Sequence, residues 1–283
     1  MLSFVNAKIN IGLQITHRRP DGYHDLQTIF YPVGLYAGTH LNPVEFCDAL
    51  EIVPAEENEL IITGDAVDCP REKNLVWKAM EAFEKMSGVK FPVHAFLDKH
   101  LPSQAGMGGG SADAAFMLRM LNDMAGKVLD EAKLIEVAAR LGADCPFFIK
   151  NRPVYATGIG ERMEDVDIDL GGWWCAIAKP EFSVSTREAF AGVAPVDNRF
   201  DLRRLAEMEP EQWREVAVND FERSIFPLCP DLSRIKETMY ASGAAYSSLT
   251  GSGSVVYGLF RRHEDAMSAL EGIDVALRTV LLL

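Results

Sequence analysis

The chain has 283 residues, with 28 Lys and Arg against 41 Asp and Glu and a formal net charge of −13, a balance that argues against non-specific nucleic-acid binding. Its 48% hydrophobic and 24% charged residues exclude disorder for the bulk of the chain and suffice for one large domain or two ordinary ones. No apolar run approaches the roughly 20 residues of a membrane-spanning helix, and Met1 to Thr16 lacks the basic-then-apolar layout of a secretory signal. Cys47, Cys69, Cys145, Cys175 and Cys229 include no C-x-x-C pair, so a cytoplasmic protein with free thiols and no membrane partner is expected.

The first segment alternates. Val5, Ala7, Ile9, Ile11, Leu13 and Ile15 share one parity, and Asn6, Lys8, Asn10, Gly12 and Gln14 the other, which predicts a strand with one buried face. Lys8 and Asn10 then share its non-core side, where a solvated face is the ordinary reading of a lysine. Thr16 to His24 is turn-rich around Arg19-Pro20-Asp21-Gly22. Strand-like runs recur to about Leu97, interrupted from Asn74 by a helix whose stripe is Leu75, Val76, Ala79, Met80 and Phe83, with Asn74 as its cap.

From Ser111 to Ala125 the positions Ala114, Ala115, Leu118, Leu121 and Ala125 recur at helical spacing, with Gly126 as the stop. A second helix is predicted from Asp130 to Leu141, ending at Gly142. Ala143-Asp144-Cys145-Pro146 then reads as a turn, because Pro146 disfavours helical dihedrals in Cys145. Past Asn151-Arg152-Pro153 the pattern restarts, and a domain boundary is expected near Pro153. A strand at Trp174 to Ala178, helical stretches near Leu202 to Val218 and Leu232 to Ser242, and a strand at Val255 to Phe260 follow. The sequence shows no internal repeat or low-complexity segment.

The strongest local signal is Leu101-Pro102-Ser103-Gln104-Ala105-Gly106-Met107-Gly108-Gly109-Gly110-Ser111-Ala112-Asp113-Ala114-Ala115, a glycine-dense loop running into the Ser111 helix. Glycine lets backbone N–H groups come close to a ligand, and the helix start adds unpaired N–H groups and a positive dipole end. The expected ligand is therefore an anion, phosphate. The loop is not a nucleotide P-loop, since Ser111 follows Gly110 with no Lys. It is not a dinucleotide fingerprint either, since position 111 is Ser where Gly is required. Protein-kinase landmarks are missing as well, and Asp220-Phe221-Glu222 is the nearest approach to their metal loop. A second glycine segment, Leu249-Thr250-Gly251-Ser252-Gly253-Ser254, reads as a tight hairpin. Together the two loops suggest a polyphosphate held between two domains.

Taken in order, Asn6-Ala7-Lys8-Ile9-Asn10, Asp21-Gly22-Tyr23-His24, the Pro102 to Ala115 loop, Gly142-Ala143-Asp144-Cys145-Pro146-Phe147-Phe148 and Thr250-Gly251-Ser252-Gly253 resemble the GHMP superfamily of small-molecule kinases over nearly the whole chain. Asp-Gly-Tyr-His and Gly-Ala-Asp-x-Pro-Phe select the branch that phosphorylates the C2 hydroxyl of a cytidine-diphosphate-linked methyl tetritol in the non-mevalonate isoprenoid pathway.

The resemblance implies a two-lobed α+β fold. Residues 1–153 would form a nucleotide-binding lobe like domain 2 of ribosomal protein S5, and residues 154–283 a ferredoxin-like C-terminal lobe. It implies ATP as co-substrate with Mg²⁺, Lys8 and Asp144 as the catalytic pair, and Pro102, Ala105, Gly106, Met107, Gly108, Gly109, Gly110 and Ser111 around the phosphates. Ser111 would also be a possible Mg²⁺ ligand, and Asn74 and Lys99 would lie near the adenine. Asn10, Tyr23, His24, Phe190, Thr250, Gly251 and Ser252 would bind the acceptor, with Tyr23 stacking on cytosine, His24 bonding its edge and Phe190 as the opposing wall. Ser103, Gln104 and Ala112 depart from the family pattern. The partners implied are small molecules alone, with no nucleic acid, on a monomer or weak homodimer.

Overall fold

The protein is described by a computed structural model covering residues 1–34, 46–65, 69–196 and 199–283. These residues fall into two compact units. One gathers the described residues of Met1–Ala7, Val44–Ser103 and Gly108–Arg152, the other those of Lys8–Pro43, Gln104–Met107 and Pro153–Leu283.

The alternating N-terminal segment is two strands, β1 (Leu2–Val5) and β2 (Ala7–Arg18), which enter different sheets. The polar parity of β2 is buried rather than solvated: Lys8 is 3% exposed, Asn10 1% and Gln14 1%. Hydrogen bonds make this possible, because buried polar groups are costly unless partnered. Within the second unit Asn10 Nδ2 donates to Thr28 Oγ1 at 2.9 Å, and Gln14 accepts from Gln27 at 2.6 Å. Thr28 and Gln27 belong to β3 (His24–Val33), the neighbour of β2 in the sheet.

In the first unit β1, β4 (Asp48–Pro54), β6 and β5 form one sheet in that order. Here β5 (Glu59–Gly64) runs parallel to β6 (Val93–Lys99), and the other pairs are antiparallel. Helix α1 (Leu75–Ser87) buries Val76, Ala79, Met80 and Phe83, and the Asn74 side chain caps it by accepting from the Val76 amide at 2.8 Å, as its stripe predicts. Helix α2 (Gly109–Met124) packs on α1, β4 and β1. It begins two residues before the predicted start, because Gly108 holds φ +74° and turns the chain into it. Helix α3 (Glu131–Leu141) is capped by Asp130. Helix α4 (Cys145–Lys150) takes in Cys145 and Pro146, which the sequence places in a turn. Proline is tolerated there because the first helical turn leaves N–H groups without partners in any case.

A buried charge cluster ties this unit together below the start of α2. The register that pairs Ala49 with Asp98 sets Asp48 and Lys99 opposite each other on the inner face, where both are buried. Lys99 Nζ bonds the Asp48 carboxylate and, at 2.7 Å, Oδ2 of Asp113 on α2. Asp48 Oδ1 also accepts the backbone amides of His100 at 2.7 Å and Leu101 at 2.8 Å. Asp113 Oδ1 is buried without a partner. Burial pushes the Asp113 carboxyl up to about 8, with Lys99 opposing the shift and Asp48 adding to it. Burial works against the Lys99 ammonium, yet the carboxylates of Asp113 and Asp48 outweigh it and hold its pKa above the ordinary value.

In the second unit β2, β3, β7 (Val154–Gly158) and β8 (Arg162–Asp165) form one sheet. The other sheet is antiparallel and runs β10, β11, β9, β12, comprising β9 (Trp174–Lys179), β10 (Tyr246–Leu249), β11 (Val256–Phe260) and β12 (Leu277–Leu282). Between β9 and β10 come α5 (Thr186–Ala191), α6 (Phe221–Ile225) and α7 (Pro230–Ala241), and α8 (His263–Leu270) follows β11. Helices α7 and α8 pack on β9 and β11 around Ala176, Ile235, Met239, Val256 and Phe260. The predicted helical stretch near Leu202 to Val218 is instead two 3-10 turns, Leu202–Glu207 and Pro210–Gln212. Pro210 lacks an amide hydrogen and its ring obstructs a continuing α-helix. The five cysteines are free thiols, and no helix among the described residues is long and apolar enough to cross a membrane.

Folded Asp113 keeps a proton that the unfolded chain gives up from about pH 4, so its contribution to stability falls as pH rises from there to about 8. Asp113→Asn, a neutral isostere, should therefore gain stability relative to the parent across that window. Urea midpoints at pH 5, 7 and 8.5 test this, and parallel curves for the two proteins would contradict it.

Candidate active site

In the second unit β2 carries Lys8 and Asn10 into contact with both glycine segments. The Lys8 amide donates to the Met107 carbonyl at 3.0 Å. Its ammonium donates to Asn10 Oδ1 at 2.6 Å and lies 4.6 Å from the centre of the Phe30 ring. The same Asn10 oxygen accepts the Gly251 amide at 3.0 Å, and the Asn10 amide donates to Thr250 Oγ1 at 3.1 Å. Thr250 Oγ1 lies within bonding reach of the Gly106 carbonyl at 3.2 Å and of Asn10 Oδ1 at 3.3 Å. One amide side chain thus orients the ammonium and fixes the second glycine turn.

The backbones of the two turns touch. A Cβ on Gly106, which has φ +75°, would lie 2.0 Å from the Thr250 carbonyl oxygen, and one on Gly251 would lie 3.0 Å from the Gly106 Cα. Only glycine allows both the conformation and the approach. Gln104, one of the departures from the family pattern, takes φ +51° without being glycine. Ala105 and Met107 are buried, and the hydroxyl of Ser252 lies 3.4 Å from that of Thr186. Thr250 to Val255 closes the β10–β11 hairpin, as the sequence predicts.

The first unit supplies the helix mouth. Pro102 is half-buried, Gly108 and Gly109 line the start of α2, and Gly110 is exposed with nothing within 4 Å of its Cα hydrogen side. Ser111 in the first turn hydrogen-bonds the Cys145 thiol, whose pKa burial pushes up to about 12. A Cβ on Gly142 would lie 3.3 Å from Cys145 Sγ and 3.8 Å from Ser111 Oγ. The Gly142–Cys145 turn carrying Asp144 therefore sits against the mouth of α2, with Asp144 half-buried just before α4. Asn74 is engaged in capping α1, and Lys99 in the buried cluster with Asp48 and Asp113.

In the second unit the His24 ring stacks on Phe190, centroids 4.9 Å apart at 21°, and Tyr23 beside it is 61% exposed. Burial, and then the charge of Arg18, lower the His24 pKa, so the ring is neutral near pH 7. Residues that sequence reasoning passed over hold this arrangement from behind. Thr28 and Tyr257 bond Asn10, and the wholly buried Asn219 donates to the carbonyls of Leu249 and Gly251. Thr28 and Tyr257 lie on strands and Asn219 in an isolated bridge outside them, so no local pattern of residue types marks the three.

The model of the GHMP kinases N terminal domain matches residues 74–152, and that of the GHMP kinases C terminal matches residues 193–274. The chain is 46% identical over 262 residues to 4-diphosphocytidyl-2-C-methyl-D-erythritol kinase of Parabacteroides distasonis, covering 93% of this chain and 92% of the relative. The chain belongs to the 4-diphosphocytidyl-2-C-methyl-D-erythritol kinase family of GHMP kinases. The family protein of Bacteroides fragilis is 44% identical over 268 residues, 93% of each chain. A crystal structure of 4-(cytidine 5'-diphospho)-2C-methyl-D-erythritol kinase aligns over 100% of both chains with a TM-score of 0.80 and 29% identity. The homoserine kinase of Cytophaga hutchinsonii has a TM-score of 0.69 at 15% identity, covering 98% of this chain and 94% of its own, and so shares the fold.

Two glycines that look alike in sequence should respond oppositely. Gly106→Ala meets both a left-handed φ and a backbone clash and should cost about 2–4 kcal/mol in denaturant unfolding. Gly110→Ala, exposed in the first turn of α2, should stabilise by about 0.5–1 kcal/mol while raising the KM for ATP by about tenfold, because its methyl group obstructs a phosphate at the helix mouth. An unchanged KM would remove phosphate from that position.

Proposed function

We propose that the protein transfers the γ-phosphoryl group of ATP to the C2 hydroxyl of 4-diphosphocytidyl-2-C-methyl-D-erythritol, giving the 2-phosphate and ADP, in the non-mevalonate isoprenoid pathway of the cytoplasm. The observation that carries this reading is the hydrogen-bonded cluster of Lys8, Asn10, Gly106, Thr250 and Gly251 in the second unit. It orients a buried ammonium beside a glycine segment that continues into the mouth of α2.

Phosphoryl transfer asks a protein chiefly for positioning and for charge stabilisation. The amides of Gly108 to Ser111 hold the phosphates at the positive end of α2, and the Lys8 ammonium faces the charge that develops on the transferring group. Asp144 takes up the proton of the C2 hydroxyl as its oxygen attacks phosphorus, and the bond to the ADP oxygen breaks on the opposite side. Asn74 and Lys99 would lie near the adenine, with residues 1–153 as the nucleotide-binding lobe and residues 154–283 as the C-terminal lobe.

No group of three His, Cys, Asp or Glu side chains among the described residues is placed to cage a metal. A site with the Ser111 hydroxyl as its protein ligand suits Mg²⁺, which keeps phosphate oxygens and waters as its other ligands. When bound, the ion neutralises charge on the phosphates. Tyr23, His24 and Phe190 favour a cytosine, since aromatic faces hold a base and a neutral imidazole bonds its edge. Thr250, Gly251 and Ser252 face the remainder of the acceptor together with Asn10. The enzyme acts as a monomer or weak homodimer on small molecules, without nucleic acid.

A coupled ADP-release assay with the cytidyl acceptor, mevalonate and homoserine tests the assignment. Turnover should be confined to the cytidyl compound, and Lys8→Ala and Asp144→Asn should each lower kcat on the order of 10²–10³-fold. Better turnover of mevalonate or homoserine, or normal rates in both variants, would sink it. Because the His24 pKa is lowered, the acceptor KM should stay flat down to about pH 6.5 and rise below it as the ring gains a proton. His24→Ala should raise that KM and abolish the acid limb.

A further inference from the structure

The tetrapeptide Asn219-Asp220-Phe221-Glu222 matches no kinase metal loop, but its four residues hold three parts of the second unit: Asn219 and Glu222 the turn at Thr250, Asp220 the strand β2, and Phe221 the ring of Phe190. We infer that it is the positioning element of the acceptor site, with Asn219 setting the turn beneath Lys8 and Phe221 setting the ring of Phe190. The inference rests on the roles given above to Lys8 and Phe190.

The segment is anchored to the strand that carries Lys8. Leu13 N–H donates to the Val218 carbonyl at 3.0 Å, and Asp220 N–H donates to the Leu13 carbonyl at 2.7 Å. The Asp220 carboxylate accepts the Ile15 amide at 2.8 Å and, on its other oxygen, Arg199 at 2.8 Å. From that anchor Asn219, 0% exposed, sends both hydrogens of its amide to one turn. Nδ2 donates to the Leu249 carbonyl at 2.7 Å and the Gly251 carbonyl at 2.9 Å, and Oδ1 accepts the Phe221 amide at 3.0 Å. Those two carbonyls flank Thr250. On the far side of the same turn the Gly251 amide bonds Asn10 Oδ1, which holds the Lys8 ammonium. A displaced turn therefore displaces the acceptor of the Lys8 hydrogen bond.

Glu222 fixes the entrance of the turn, its Oε1 accepting the Leu249 amide at 2.9 Å and Ser248 Oγ at 3.2 Å, with Lys236 on Oε2 at 2.6 Å. Phe221 meets Phe190 edge to face, centroids 4.8 Å apart at 88°, and Phe190 carries the His24 ring on its face. One short segment thus supports both the phosphoryl side and the base side of the acceptor. No other side chain of similar size has two N–H donors on one atom and an acceptor beside it, and aspartate in this place would aim a charge at two carbonyl oxygens.

The test is steady-state kinetics of Asn219→Asp, Asn219→Ser and Phe221→Leu, with Lys8→Ala as reference and thermal melts to establish folding. Asn219→Asp should lower kcat by at least about 30-fold with the KM for ATP within about threefold. Asn219→Ser, which keeps one donor, should fall between it and the parent and decides the matter if Asn219→Asp does not fold. Phe221→Leu should raise the acceptor KM about tenfold with kcat within about threefold. The inference is overturned by folded Asn219 variants with near-normal kcat, or by a Phe221→Leu that depresses kcat and shifts both KM values alike. Inactive Lys8→Ala beside normal Asn219 variants would reject only this inference, whereas active Lys8→Ala would reject the reading beneath it.

Discussion

The second unit is organised around a backbone contact that excludes side chains. Gly106 and the Thr250–Gly251 turn approach until a methyl group on either would collide with the other, and the polar residues around them follow from that closeness. Thr250 spans the contact with its hydroxyl, Asn10 bonds the turn from one side and Asn219 from the other. Lys8 is oriented because Asn10 is. Glycine serves here twice over, through the absence of a side chain where two segments far apart in sequence meet and through the left-handed φ that both Gly106 and Gly251 adopt.

The same logic explains how much could be read from the residues alone. Helix positions were legible at α1 and α3, where an apolar stripe and a capping Asn or Asp are local properties. Failures came where a long-range partner overrides a local rule. Lys8 and Asn10 look like a solvated strand face by parity, but β3 and the glycine turns cover that face. Pro146 looks like a helix breaker, but its position in the first turn makes it a helix starter. The stretch after Asp201 has helical spacing at Leu202 and Leu205, which 3-10 turns satisfy equally well. In the candidate site the glycine loop and the Lys8, His24 and Asp144 motifs were visible as patterns of residue types. Asn219, Tyr257 and Thr28 were not, because an amide or hydroxyl that serves from the second layer has no sequence signature of its own.

The two units also differ in how they keep charge inside. Asp48, Lys99 and Asp113 lie at inward positions of a strand pair and a helix, and they neutralise one another only if one carboxyl keeps a proton. The cluster fixes the His100–Leu101 backbone that leads into the glycine loop, so its electrostatics bear directly on where that loop begins. In the second unit the buried Lys8 ammonium has a neutral amide oxygen among its partners.

Neither unit is a single stretch of chain, and the order of synthesis follows from that. Every residue of the first unit has left the ribosome once Arg152 emerges. The β2–β3 hairpin, made much earlier, must wait for Val154–Gly158 before it gains its sheet neighbour and for Asn219 before its Leu13 bridge can form. The strand bearing Lys8 is thus translated well before the residues that lock it in place, and those residues reach it only after the whole first unit has been made.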